Sequence, residues 1–245
     1  PPPPPPTLNA TRRQRQMCIR DSFSTVHQNT ACFEGMTAAA TKIIPVAMKE
    51  SLFWPIVQEV KDKGPLLALL PFSRNRIGVV VTGAEVFSGR IKDGSLDILS
   101  PKVEAFGGKI VSHRICPDRE DAIAETIGTM AEQGCDVIIT TGGLSVDADD
   151  VTLSGIVGSG ATLISYGSPV LPGAMFALAY LGDIPILGAP AAIFYYKATA
   201  LDIFLPRTMA GDSITREDIA NLGHGGLCLL CEECVYPVCP FGKGE

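Results

Sequence analysis

Residues 135–143 read CDVIITTGG. Val137, Ile138 and Ile139 run on without polar alternation, the pattern of a strand covered on both faces as in a parallel sheet. Two threonines and a glycine pair then stop the run. A second stretch of the same kind, RIGVVV at 76–81, leads into the small-residue turn TGAE at 82–85.

The text between and beyond these strands alternates in period. SLDILSPKVEAFGG (95–108) spaces its apolar residues as a helix and ends on two glycines, and KIVSHRIC (109–116) alternates as a strand. DREDAIAETIGTMAEQG (118–134) is the clearest helix. Its acidic first turn suits the helix dipole, and Ala122, Ile123, Ile127 and Met130 share one face. After residue 143 the spacing predicts a short helix from near Thr152, the strand ATLISYG (161–167), a helix AMFALAYLG (174–182), the strand IPILGAP (184–190) and a long helix from Ala191 to about Phe204. Strands alternating with helices define an α/β chain with a mostly parallel, doubly wound sheet. Upstream, TKIIPVAM (41–48) has strand composition, SLFWPIVQEVKDKG (51–64) is helical, and LLALLPF (66–72) is predicted to be a short buried strand.

With 245 residues, 46% of them apolar, the chain supports one sizeable core or two small ones. A formal charge of −6 argues against a broad nucleic-acid footprint, which needs clustered cations. No apolar run reaches the roughly 18 residues of a membrane span. The stretch ALAYLGDIPILGAP is broken by Asp183, Pro185 and glycines. A cytoplasmic protein without nucleic-acid or membrane partners is expected. Residues 1–22 differ in composition: six prolines, then four arginines, and no periodic apolar pattern. They are expected not to pack into a core. A basic nucleic-acid arm is one reading of them, but RRQRQMCIRDS resembles translated adapter sequence, and on that favoured reading the natural N-terminus is missing. The predicted organisation is this segment, a partial αβ extension at 23–75, the main α/β domain at 76–210 and a cysteine-rich tail at 211–245.

Ligands of doubly wound sheets sit beyond the carboxyl ends of the strands. There the chain places TGAE, CPD (116–118), TTGGLSVDADD (140–150), YGSPVLPG (166–173) and LGAP (187–190). Gly142 and Gly143 permit close backbone approach, and Ser145 offers a hydroxyl. Asp147, Asp149 and Asp150 would repel a bare phosphate but could share a Mg²⁺ with it. The competing reading makes Asp149 or Asp150 the cap of the following helix. Asp93 and Asp118 are each turn or cap residues when taken singly.

The ordered set VTGAEV, GRIKDGS, PDREDAI, CDVIITTGGLSVDADDVT, LPGAM and PILGAP resembles the molybdopterin-binding domain shared by molybdopterin molybdotransferases and molybdopterin adenylyltransferases, over roughly residues 76–206. The chain is most similar to a cysteine-tailed branch of that family from anaerobes. The resemblance implies a three-layer α/β fold that binds molybdopterin and its adenylylated form with Mg²⁺ and inserts molybdate, releasing AMP. By resemblance Glu85, Asp118 and Asp150 are the acidic catalytic residues. Thr82, Gly83, Gly142, Gly143, Ser145, Pro172, Gly173 and Pro190 correspond to the loops that receive phosphate and pterin. The chain departs from the pattern at Asp147, where the family has Gly, and at Ala174, where it has Lys. It departs again at Pro190–Ile193, where the family has Pro-Gly-x-Pro. Ala174 and the altered 190–193 turn favour an alternative, a non-catalytic carrier or chaperone docking on a molybdoenzyme. A third possibility is a pyridine-nucleotide salvage enzyme, since competence-damage proteins reuse this domain. A homo-oligomer is expected.

The tail contains Cys228, Cys231, Cys234 and Cys239, a C-x2-C-x2-C-x4-C run followed by Pro240. Such spacing lets thiolates converge on Zn²⁺ or an iron–sulfur cluster. His224 is predicted to face solvent, and Cys116 and Cys135 to be small core residues. Trp54 and the run Phe194, Tyr195, Tyr196 are predicted to be core.

Overall fold

The computed structural model describes residues 7–10, 21–43, 47–65, 67–144 and 151–244. It divides into two compact units, Pro5–Pro71 and a larger one containing Phe72–Glu245. The smaller unit holds strands β1 (Thr7–Ala10), β2 (Asp21–Thr25), β3 (Thr30–Ala31) and β4 (Ala39–Ile43), helix α1 (Glu50–Lys63) and strand β5 (Leu67–Leu70). β1 pairs antiparallel with β3 and β5, and β2 with β4. Part of the segment expected to stay out of any packed structure is therefore a strand. β5 is not the buried strand predicted, since Leu69 is 58% exposed. Helix α1 buries none of its residues, and Trp54 is 59% exposed, so the core expectation for that tryptophan fails as well.

The larger unit is built on β6 (Arg76–Val81), β7 (Lys109–Ile115), β8 (Val137–Thr141), β9 (Thr162–Tyr166), β10 (Ala177–Leu181) and β11 (Ile184–Ala189). Their order in the sheet is β7-β6-β8-β11-β10-β9. β7, β6, β8 and β11 are parallel; β10 runs against both neighbours. The helices are α2 (Ala84–Phe87), α3 (Ser95–Glu104), α4 (Glu120–Glu132), α5 (Thr152–Gly158), α6 (Ala200–Met209) and α7 (Arg216–Ala220).

Alternation along the strands builds two cores. On one face Val80, Ile138, Ala179 and Ile186 pack with Ile123, Ile127 and Met130 of α4 and Ile156 of α5. Cys116 and Cys135 join this cluster, 5% and 2% exposed, as small core residues. On α4, Ile123, Ile127 and Met130 are buried at helical spacing, the face read from the sequence. α6 buries all ten of its residues, and Phe204 stacks on Phe176 with ring centroids 4.7 Å apart. Helices on both faces of a mostly parallel sheet make this the three-layer, doubly wound α/β fold.

Two predicted helices are corrected. AMFALAYLG contains β10, because Gly182 (φ 58) and Asp183 turn the chain straight back into β11. A Gly-Asp pair between two apolar runs is a hairpin signal, and the antiparallel partner overrides the helical propensity of Ala and Leu. The long helix from Ala191 is instead a 3₁₀ turn at Ala191–Phe194 and, after a break, α6. Asp202 sets that break, accepting hydrogen bonds from the Thr199 backbone N–H (2.8 Å) and hydroxyl (3.0 Å). Phe194, Tyr195 and Tyr196 are consequently exposed, Tyr195 by 80%.

Candidate functional site

The register aligns the carboxyl ends of the parallel strands. Val81 lies opposite both Thr141 and Ile115, and Thr141 lies opposite Ala189. Ala177 pairs with both Gly188 and Tyr166, so the 167–176 connection meets the same edge. Thr82, Gly83, Glu85, Asp118, Gly142, Gly143, Pro172, Gly173 and Pro190 all follow strand ends on this edge. Asp150 and Ser145, with Asp147 and Asp149, lie outside the described residues.

The centre of the edge is tightly tied. The Thr82 backbone N–H donates to the Thr141 carbonyl at 2.8 Å, and the buried hydroxyls of Thr82 and Thr152 lie 3.0 Å apart. Thr152 opens α5, so this contact joins the β6 turn to the helix that follows the β8 loop. Between them Gly142 has φ 90, and a Cβ there would sit 2.1 Å from the Thr82 carbonyl oxygen. Only glycine fits that approach. Gly143 (φ 59) and Leu144 (φ 57) continue in left-handed conformation, and Leu144 tucks its side chain into the core at 2% exposure. The hydroxyls of Thr140 and Thr141, fully buried at the end of β8, have no hydrogen-bond partner among the described residues. Buried hydroxyls normally find one, so an unpaired pair at a strand end marks a place for a ligand or water.

The outer loops are fixed by packing. Pro172, after a cis bond, accepts at its carbonyl from Ala200 N–H (3.0 Å), and a Cβ on Gly173 would lie 2.9 Å from Ala200. Gly173 therefore serves close approach to the start of α6. Pro190 is buried ahead of the 3₁₀ turn. Lys102 of α3 pairs with Asp202 and donates to the Lys197 carbonyl at 2.8 Å, holding the 195–199 segment. Asp93 is a cap: it accepts from Ser95 N–H and hydroxyl, both at 2.9 Å, and its carboxylate meets His113 Nε2 of β7 at 2.8 Å. α5 has no side-chain cap from its N-cap residue, Val151. Burial pushes the Cys116 thiol upward, with the nearby Asp118 carboxylate adding to that shift against a lowering hydrogen bond from Thr126. Glu85 and Asp118 are exposed to solvent.

The tail folds onto this unit. Leu171 and Leu227 form a parallel bridge, Leu171 N–H donates to the Gly226 carbonyl (2.8 Å), and Cys228 N–H donates to the Leu171 carbonyl (2.8 Å). The Tyr236 hydroxyl donates to the Asp202 carbonyl at 2.9 Å. Burial pushes that phenol well above its ordinary range, with Asp202, Cys239 and Cys234 adding to the shift. All four tail cysteines line one cavity of about 280 Å³ with Tyr195, Tyr196 and Tyr236. None of the predicted pterin residues lines it. Among the described residues no three His, Cys, Asp or Glu side chains close on a single ion-sized point. His224 is exposed, as predicted. Sequence reasoning missed Thr152, Lys102 and Tyr236. Only the capping spacing Thr199–Asp202 hinted that the α6 start would be a hub.

Residues 78–219 match the family model described as a probable molybdopterin binding domain, and the chain belongs to that family. The ligand that the family's description names is a molybdopterin. Over 78 residues the chain is 40% identical to a CinA-like protein of Mycobacterium tuberculosis, which covers 32% of this chain and 18% of that protein. The Mycobacterium leprae CinA-like protein matches to the same extent. The chain thus spans less than a fifth of the length of these curated relatives. Among solved structures, the molybdopterin biosynthesis enzyme MoaB from Thermus thermophilus aligns with TM-score 0.47 and 18% identity, over 54% of this chain and 91% of that one. The protein CinA from Thermoplasma acidophilum aligns with TM-score 0.47 and 15% identity, over 56% and 99%. No helix of the described residues is long and apolar enough to cross a membrane.

Proposed function

We propose that the strand-end cradle binds adenylylated molybdopterin with Mg²⁺, and that the chain inserts molybdate into the pterin with release of AMP. The observation that carries this reading is the pair of buried, unpartnered hydroxyls on Thr140 and Thr141 beside the left-handed Gly142–Leu144 turn. Polar groups left unpaired in a core cost roughly 1–3 kcal/mol each, a cost that a polar ligand or water removes. Thr82, Gly83, Gly142, Gly143 and Ser145 would receive phosphate and pterin, with Pro172, Gly173 and Pro190 shaping the outer wall. Glu85, Asp118 and Asp150 follow three neighbouring strands, and their carboxylates suit a hard cation. Mg²⁺ held there would neutralise phosphate charge. A second metal, Zn²⁺ or an iron–sulfur cluster, belongs to the tail cysteines. The setting is cytoplasmic, and the functional form a homo-oligomer.

The test is AMP release by the purified chain given adenylylated molybdopterin and molybdate. Asp150→Ala is expected to abolish it; unchanged release removes Asp150 from the role. Two features favour a carrier that binds pterin and delivers it to a molybdoenzyme. Ala174 supplies no cation toward phosphate, and Ala191 begins a 3₁₀ turn where the family has glycine. Tight pterin binding with no AMP release selects that reading. Pyridine-nucleotide salvage is the third reading, by the resemblance to competence-damage proteins that reuse this domain. Preference for a pyridine mononucleotide over pterin in a binding screen selects it.

A further inference from the structure

The cysteine run is held at both ends by the fold. At its entry, Cys228 N–H donates to the Leu171 carbonyl (2.8 Å). At its exit, Phe241 is 4% exposed and packs edge-on against Tyr236, and Gly242 N–H donates to the Gly225 carbonyl (2.9 Å). Between these anchors Leu230 takes φ 51, turning the chain between the first two cysteines. Tyr236 is tied to the α6 start, and the facing wall at Tyr195–Ala198 is held by Lys102 through the Lys197 carbonyl. The chain entropy of bringing the four thiols to one cavity is therefore spent by hydrogen bonds and packing, not by the sulfurs themselves. All four are free.

Two properties separate the candidate ligands. Zinc sites draw their cysteines in pairs from two separated segments, and thiolates at about 2.3 Å close around a single ion. This run has no second segment. Its first three cysteines repeat at intervals of three, and its fourth, after four intervening residues, is followed by proline, which differs by one residue from the C-x2-C-x2-C-x3-C-P run of bacterial ferredoxins. All four cysteines line one space of about 280 Å³. Four thiolates spread about such a volume suit a body larger than an ion. Leu229, Leu230 and Val235 supply an apolar lining of the kind that surrounds such a body.

We propose that Cys228, Cys231, Cys234 and Cys239 ligate an iron–sulfur cluster in this cavity, a site separate from the strand-end cradle and independent of the pterin reading. The full chain purified without oxygen, or reconstituted with ferrous iron and sulfide, is expected to be brown. It should carry iron and acid-labile sulfide in equal amounts, about two or about four of each per chain, since four cysteine ligands hold either a [2Fe–2S] or a [4Fe–4S] cluster. Cys231 is exposed, so Cys231→Ser is expected to lose colour, iron and sulfide while keeping the circular dichroism of the fold. If that variant unfolds, electron paramagnetic resonance of the reduced, unmutated chain decides: a cluster signal supports the site, and its absence overturns it. A colourless chain holding one equivalent of zinc overturns the cluster, and so do four freely titrating thiols after reconstitution. Iron in Cys231→Ser at the unmutated level also overturns the assignment.

Discussion

The turn after β8 and the tail after α7 are both glycine-bearing segments beside candidate ligand sites, yet they are held by opposite means. Around Gly142 the backbone is pressed to 2.1 Å of where a side chain would begin, and buried hydroxyls interlock two strand ends and a helix. The tail is braced at its ends by one bridge, a few backbone hydrogen bonds, Tyr236 and the buried Phe241, with Cys231 and Cys234 exposed. A site made by the core has its shape set by the same forces that fold the protein. A site made by a tail is fixed by the fold only at its anchors, and the exposed side chains between them take their final arrangement from what they bind.

The largest expected effect falls on the first region. Gly142→Ala meets both a positive φ and the Thr82 carbonyl, and should cost roughly 3 kcal/mol or more. Guanidinium unfolding followed by far-ultraviolet circular dichroism measures it; the sole tryptophan, Trp54, lies in the other unit and does not report there. A cost below about 1 kcal/mol breaks the contrast. Thr82→Val comes next. It removes the hydroxyl contact with Thr152 and should destabilise by about 1–2 kcal/mol in the same measurement.

The smallest effect is in the tail. Tyr236→Phe removes the 2.9 Å bond to Asp202 and should cost about 1 kcal/mol or less. The loss should appear as faster hydrogen exchange confined to the tail and the α6 start. A pH arm sharpens this. The folded phenol holds its proton above its ordinary 10.0, so its contribution is complete below about pH 10 and is lost as pH rises beyond it. The phenylalanine variant should show a shallower alkaline decline than the unmutated chain; equal slopes would mean that the buried tyrosine does not govern the tail.

Much of the larger unit could be read directly. Uninterrupted Val and Ile runs need cover on both faces, so RIGVVV and DVIITT announce parallel strands, and the α4 face follows from spacing alone. The sites placed at strand ends follow from the same logic. β10 reads as a helix from AMFALAYLG alone, and the Gly182–Asp183 hairpin signal, with pairing on both sides, makes it a strand. The tyrosines at 195 and 196 misled for a related reason: an aromatic run signals burial in a helix, but the α6 capping box ends the preceding segment and leaves them on a cavity wall.

The sequence alone determined the α/β class, the family and the cysteine spacing, because these depend on residue types and intervals along the chain. The tertiary structure alone decided which groups meet. It joined Thr82 to Thr152, left the Thr140 and Thr141 hydroxyls without a partner among the described residues, and hung the tail between Leu171 and Asp202. Those contacts link residues tens of positions apart, and hydrogen bonding and close packing are settled by distance in space.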